Sequence, residues 1–210
     1  MYQALFRLRF LLFLSFSMLP YSCAAQPEKV EEVVEKIITV SEKYQTIFDK
    51  NPDYFSDGFD FPVGKPNGSG YYNAQGFGGK RHHLGDDWNG NEGGNNDLGH
   101  PIYAIANGIV SEAFDRKGGW GKIVRIVHSH NGKFYESFYA HCNEMMVNKG
   151  DLIKRGQKIA TIGNNDGMYL AHLHFEIRSE PDMPTGGGYS RDISGYLDPT
   201  LFIKSNRAKK

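Results

Sequence analysis

Residues 171–178 alternate between polar and apolar: His172, His174, Glu176 and Arg178 fall on even positions, Leu173, Phe175 and Ile177 on odd ones. Successive side chains of a strand point to opposite faces, so this segment predicts a strand with its apolar half in a core. Both imidazoles then share the other face, with Cα atoms about 6.6 Å apart, two strand rises. Short strand-like runs punctuated by Gly and Asn continue along the chain from Phe59. Ile102–Ala106 is followed by Asn107-Gly108 and then Ile109-Val110, and residues 122–128 and 133–141 flank His130-Asn131-Gly132. Asn-Gly between two such runs is a strong hairpin signal. Lys149–Gly163 gives two more short strands around a tight turn. Many strands with no helical stretch between them predict an all-β fold, an antiparallel β-sandwich or partly open barrel with a groove. The polar run Asn89–Asp97 reads as a loop at the rim of a site.

A different period precedes the strands. Val30, Val33, Val34, Ile37, Ile38 and Ile47 recur among Glu and Lys largely at spacings of three and four, which predicts a short N-terminal helix with one buried face. Before it, Arg7 and Arg9 lead into an almost wholly apolar stretch from Phe10 to Leu19, with small residues at Ser22-Cys23-Ala24-Ala25. That pattern reads as a secretory signal, too short for a membrane span. The predicted organisation is a signal peptide over 1–25, a helical segment and linker over 26–57, and the main, strand-rich domain over 58–205. Two fates are open for Cys23: removal with the leader, or service as the lipid-bearing first residue of a lipoprotein. Either leaves Cys142 without an intramolecular partner, in a compartment that permits disulfides.

The chain has 210 residues, with 24 basic and 24 acidic side chains. Loss of Arg7 and Arg9 with the leader leaves 22 basic groups against 24 acidic ones, a net charge of about −2. A nucleic-acid binder would carry a basic excess, and none is present. The expected location is secreted or periplasmic, with no transmembrane span in the mature chain and with lipid anchoring at Cys23 as the variant.

All eight histidines fall between positions 82 and 174. Paired on one strand face, the imidazoles of His172 and His174 suit a site where one binds a metal and the other handles a proton. Upstream, His82-His83-Leu84-Gly85-Asp86-Asp87 supplies a further imidazole and a carboxylate. Two His and one carboxylate, with a fourth position for water, is the ligand count of a catalytic zinc site. Spacing alone leaves the register open, since His82 and Asp86 are four apart just as His83 and Asp87 are. His100, His128 and His130 read as surface residues, and Glu176 as a rim residue.

These motifs resemble the lysostaphin/LytM-like zinc metalloendopeptidases, a family of cell-wall peptidases. His83-Leu84-Gly85-Asp86-Asp87 is similar to their H-x-G-x-D element, Tyr139-Ala140-His141 to Y-A-H, and Ala171–Glu176 to (P/A)-H-L-H-F-E. The family pattern places Gly two residues after the ligand His, which selects His83 and Asp87 over His82 and Asp86. By this resemblance His83, Asp87 and His174 bind one zinc ion, His172 is the general base, and His141 stabilises charge on the tetrahedral intermediate. The implied activity is hydrolysis of peptidoglycan peptide cross-links by a zinc-activated water, after a small residue such as Gly or D-Ala. A non-catalytic binding or regulatory module for cell-wall enzymes is the rival reading.

Overall fold

The computed structural model describes residues 27–208, with side-chain surroundings from residue 39 onward. The predicted leader and Cys23 lie outside the described residues. The chain divides into two units, parted between residues 36 and 37. The predicted helix is α1, Pro27–Lys50, which begins in the first unit and ends in the second. Its later turns bury Tyr44 and Phe48 beside Val127, with Val40 and Ile47 half-buried against them. Positions 40, 44, 47 and 48 are one helical stripe, and burial of two aromatic rings is what fastens it to the strands. No helix among the described residues is long and apolar enough to cross a membrane.

Ten strands follow, all paired antiparallel: β1 Tyr71–Gln75, β2 Asp86–Gly90, β3 Pro101–Tyr103, β4 Gly108–Asp115, β5 Lys122–His130, β6 Lys133–Met145, β7 Leu152–Ile153, β8 Lys158–Ile162, β9 Leu173–Arg178 and β10 Tyr196–Leu197. The main order is β1-β2-β9-β6-β5-β4-β7; β10 adds to β9, and β3 pairs with β8, which pairs with β6. The all-β expectation holds, as a single open sheet not closed into a barrel. A terminal helix α2, Pro199–Ser205, is capped by Asp198, whose side chain accepts from the Leu201 N–H.

Strand β6 organises the rest. It forms the predicted hairpin with β5 across Asn131 and Gly132, both at positive φ (51° and 72°), the requirement of a type I′ turn. Its middle, Glu136–Ala140, pairs with β9, and its end, from Cys142 on, pairs with β8. His141 stands where the strand changes partner, at φ 59°, a conformation uncommon for a residue with a side chain. The main core lies between these layers and includes Ile102, Val124, Ile126, Tyr139, Leu173, Phe175 and Ile177.

Strand β5 corrects one expectation. His128 is fully buried, its Nδ1 2.8 Å from the Asn107 carbonyl oxygen and its Nε2 2.7 Å from Ser137 Oγ. Val124 and Ile126 pack in the main core while Val127 packs under α1, so β5 is covered on both faces. His100 and His130 are half-buried.

Candidate metal centre

The alternation along β9 is realised. Leu173, Phe175 and Ile177 enter the core, while His174, Glu176 and Arg178 line the opposite face, with His172 at the residue just before the strand. The neighbouring strand β2 sets Asp87 directly across from His174. His83 arrives through a close approach at Gly85: a Cβ there would lie 2.4 Å from the Phe175 carbonyl oxygen and 2.9 Å from Glu176 Cγ. Only glycine admits that contact, which gives a steric reason for the residue between the two candidate ligands.

Three donor atoms converge. His83 Nε2 is 3.0 Å from His174 Nδ1, and Asp87 Oδ1 is 3.0 Å from His174 Nδ1 and 3.3 Å from His83 Nε2. Metal–ligand bonds of 2.0–2.1 Å place tetrahedral donors about 3.3 Å apart, so the triangle is close to one face of such a site. The alternative pair does not join it. His82 is exposed, and buried Asp86 accepts from Thr200 Oγ1 (2.6 Å) and the Phe77 N–H (3.1 Å).

Charge in the cluster also fits a cation. His174 Nε2 lies 3.0 Å from Glu176 Oε1, and Arg178 donates to Glu176 Oε2 through Nε (2.9 Å) and Nη2 (2.6 Å). Beyond it Arg125 pairs with Glu136 and Glu112. Along this connected set the carboxylates of Asp87, Glu112, Glu136 and Glu176 outnumber the two guanidiniums by two. Buried charge needs a partner, and a divalent cation among neutral imidazoles supplies that balance. Burial disfavours a charged His174, but hydrogen bonds to Asp87 and Glu176 and their negative charges outweigh it and raise its pKa to about 9. Burial likewise opposes ionisation of Asp87, yet hydrogen bonds from His174 and His83 hold it well below the usual carboxylate range. The position where a dication would sit is thus the position that attracts a proton.

Two further imidazoles face this triangle. His172 Nδ1 lies 2.8 Å from the Leu170 carbonyl oxygen and His141 Nδ1 lies 3.2 Å from that of Trp120. A carbonyl only accepts, so in both rings Nδ1 carries the hydrogen and Nε2 the lone pair. His172 Nε2 stands 3.9 Å from Asp87 Oδ1, and the two rings are 4.7 Å apart. Burial, then the neighbouring His172 and His174, push the His141 pKa down to about 3, so that ring is neutral. Aromatic walls complete the site: Trp120 lies 5.1 Å from His174, Tyr169 lies 5.0 Å from His141, and Tyr189 lies 5.1 Å from His83. A pocket between residues 115–118 and 165–168 opens beside Trp120 and Tyr169, and none of the five residues lines it.

The structure therefore brings together His83, Asp87, His141, His172 and His174. Glu176 departs from its expected rim position. It is fully buried, because residues 182–189 lie over the polar face of β9, and it holds the far nitrogen of His174. Its even-numbered place on β9 was the signal in the sequence; the cover that dries it comes from a loop without periodicity. The three aromatic walls carried no comparable signal.

The profile of "Peptidase family M23" matches residues 82–185, a span holding all five residues. The chain is 44% identical over 80 residues to "Lipoprotein NlpD" of Yersinia enterocolitica, covering 38% of this chain and 78% of that relative. It is 40% identical over 93 residues to "Murein hydrolase activator NlpD" of Escherichia coli, covering 41% of this chain and 24% of that one. Several of the relatives it matches are thus spanned over less than a third of their length. Among solved structures, the antimicrobial peptidase lysostaphin of Staphylococcus simulans superposes with a TM-score of 0.51 at 27% identity, covering 67% of this chain and 52% of that one.

Proposed function

The chain belongs to peptidase family M23, and from that membership and the meeting of His83, Asp87 and His174 we propose that it is an exported zinc endopeptidase cutting peptide cross-links of bacterial peptidoglycan. The single observation that carries the reading is the triangle of donor atoms with two further imidazoles beside it. His83, Asp87 and His174 would hold the zinc ion, which supplies Lewis-acid polarisation of the scissile carbonyl and acidifies water. His172 Nε2, beside Asp87 and with Nδ1 committed to the Leu170 carbonyl, is placed to take the proton of the attacking water and to return it to the leaving amine. His141 also carries its lone pair on Nε2, so it would donate to charge on the scissile oxygen only with a second proton taken from solvent, since the proton of the attacking water returns through His172 to the leaving amine. An extended peptide with a small residue at the metal would run along the aromatic walls. Residues 58–205 would form the catalytic domain and residues 1–25 the leader, unless Cys23 is the anchored first residue, which a relative named lipoprotein favours and which shortens the leader to 1–22.

A second reading rests on a different observation: relatives carry the name murein hydrolase activator. In that case the domain would bind and stimulate another wall enzyme without turnover. The deciding experiment measures zinc per chain and, by mass spectrometry, the bonds broken in purified peptidoglycan. One zinc with chelator-sensitive cleavage is expected. One zinc with no cleavage across several wall types would favour the activator, and absence of zinc would remove the enzymatic reading.

A further inference from the structure

The carboxylate behind His174 is not isolated. Glu176 is gripped by Arg178, whose Nη1 lies 3.8 Å from Glu136 Oε1. Glu136 is fully buried, and its Oε2 accepts the backbone N–H of Asp182 at 2.9 Å. The Asp182 carboxylate in turn accepts from the Tyr44 hydroxyl (2.7 Å) and from Lys43 Nζ (2.9 Å), both on α1. A continuous hydrogen-bonded and ionic path thus joins the N-terminal helix to a candidate metal ligand some 130 residues later in the chain.

Backbone geometry at Asp182 points the same way. It sits at φ 59°, a left-handed conformation that persists when its surroundings fix it. From that residue the chain crosses the polar face of β9 toward the metal centre. The carbonyl of Met183 accepts from Arg125 (2.7 Å), that of Thr185 from Arg178 (3.1 Å) and that of Gly186 from Trp120 Nε1 (3.1 Å). At Gly188 an added Cβ would lie 2.9 Å from Trp120 and 3.8 Å from His174 Cε1. The segment ends with Tyr189 against His83. Asp182 is therefore the anchor of a cover that meets His83 through Tyr189, passes over His174 at Gly188 and keeps the His174–Glu176 contact dry.

We propose that Asp182, held by Tyr44 and Lys43 of the N-terminal helix, is a positioning residue for the metal-ligating ring of His174. Lys43 is half exposed and contributes little through a screened contact, so the buried Tyr44 hydroxyl is the main hold. The inference rests on the reading of His174 as a metal ligand. It makes the helix part of the machinery that sets metal affinity.

The test is zinc affinity of the full chain, by competition with a chromogenic chelator, and the visible spectrum after cobalt substitution. Glu176→Gln should weaken zinc by about 10–100-fold, the range for groups that orient a ligand, and Tyr44→Phe and Asp182→Ala by about tenfold, its lower end. Their cobalt spectra should shift, and Asp182→Asn, which can still accept from Tyr44 and tolerates the left-handed backbone, should recover most of the loss. Adding Tyr44→Phe to Glu176→Gln should cost less than the two losses combined, because both act along one path. If Tyr44→Phe and Asp182→Ala lower only the melting temperature, with zinc affinity and cobalt spectrum unchanged, the positioning role is wrong. Wild-type protein that takes no zinc would instead overturn the reading of His174 itself, and this inference with it.

Discussion

Gly85→Ala is the sharpest perturbation of the candidate centre that touches none of its polar groups. The added methyl would lie 2.4 Å from the Phe175 carbonyl oxygen, and ordinary contact needs about 3.4 Å or more, so something must move by about 1 Å. Phe175 cannot yield readily, because it is paired to Asp86 on one side and Tyr139 on the other. The lead-in to β2 must therefore lift, carrying His83 away from His174. Metal–ligand bonds tolerate about 0.2 Å, so a displacement of that size removes one ligand of three. Overpacking itself costs about 1–3 kcal/mol, which lowers the melting temperature by roughly 2–12 °C in a domain of this size. The assay is zinc stoichiometry and chelator competition beside a thermal melt, with Gly187→Ala as control, since a Cβ there meets nothing within 4 Å. The expected result is loss of tight zinc with the fold retained. Wild-type zinc affinity in Gly85→Ala would refute the steric account of the motif.

Three other outcomes are expected. His174→Ala should lose stoichiometric zinc, whereas His172→Ala should keep it and lose about 10²–10⁴ in turnover; metal analysis with peptidoglycan digestion separates the two, and an active His172→Ala would require another base. Apparent zinc affinity should rise with pH up to about 9, since the proton that His174 holds there must leave before the metal enters, and an isothermal titration series flat between pH 6 and 9 would contradict this. His128 is depressed by burial from 6.5 to about 4, so it binds its proton more tightly in the unfolded chain than in the folded one. Stability from its neutral form is complete above about pH 6.5 and declines as pH falls toward 4, by at most roughly 3 kcal/mol; denaturant melts of wild type and His128→Asn should converge at low pH, and parallel curves would exclude the effect.

Much of this was legible because it is local. The period of two along 172–178 gave β9 and its two faces, and Asn131-Gly132 gave the β5–β6 hairpin with its turn. The candidate ligands were legible as residue types at strand spacing. What was missed depends on cover from distant chain. His128 looked exposed because a histidine closes an apolar run, yet that run is apolar at both parities, the mark of a strand buried on both sides. Glu176 looked like a rim residue because nothing in its own strand announces residues 182–189 above it. The apolar positions that announce the helix in the sequence run from Val30 to Ile47, while its described contacts are made by Tyr44 and Phe48, whose aromatic character gives weak periodic contrast. Strand β2 escaped notice because Asp86–Gly90 is short, polar and followed directly by loop.

The site lies where it does because β9 is central and its neighbours bring one component each. On one side β2 sets Asp87 opposite His174; on the other β6 sets Ala140 opposite the same residue and then turns away at His141. The bend at φ 59° is a local strain, and it is what aims His141 across to His172 instead of along the sheet. Antiparallel pairing thus fixes Asp87 and His174 directly and holds His141 between the paired residues Ala140 and Cys142, and such pairing holds side chains more rigidly than loops do. A register slip of one residue would turn His174 into the core and Phe175 out to solvent, so the same apolar burial that stabilises the sheet forbids the misassembled site. Only His83 and His172 stand outside this ladder. Each is steadied instead by an isolated bridge, His83 to Tyr189 and His172 to Gly163, so both depend on neighbouring loops and not on the ladder for their place.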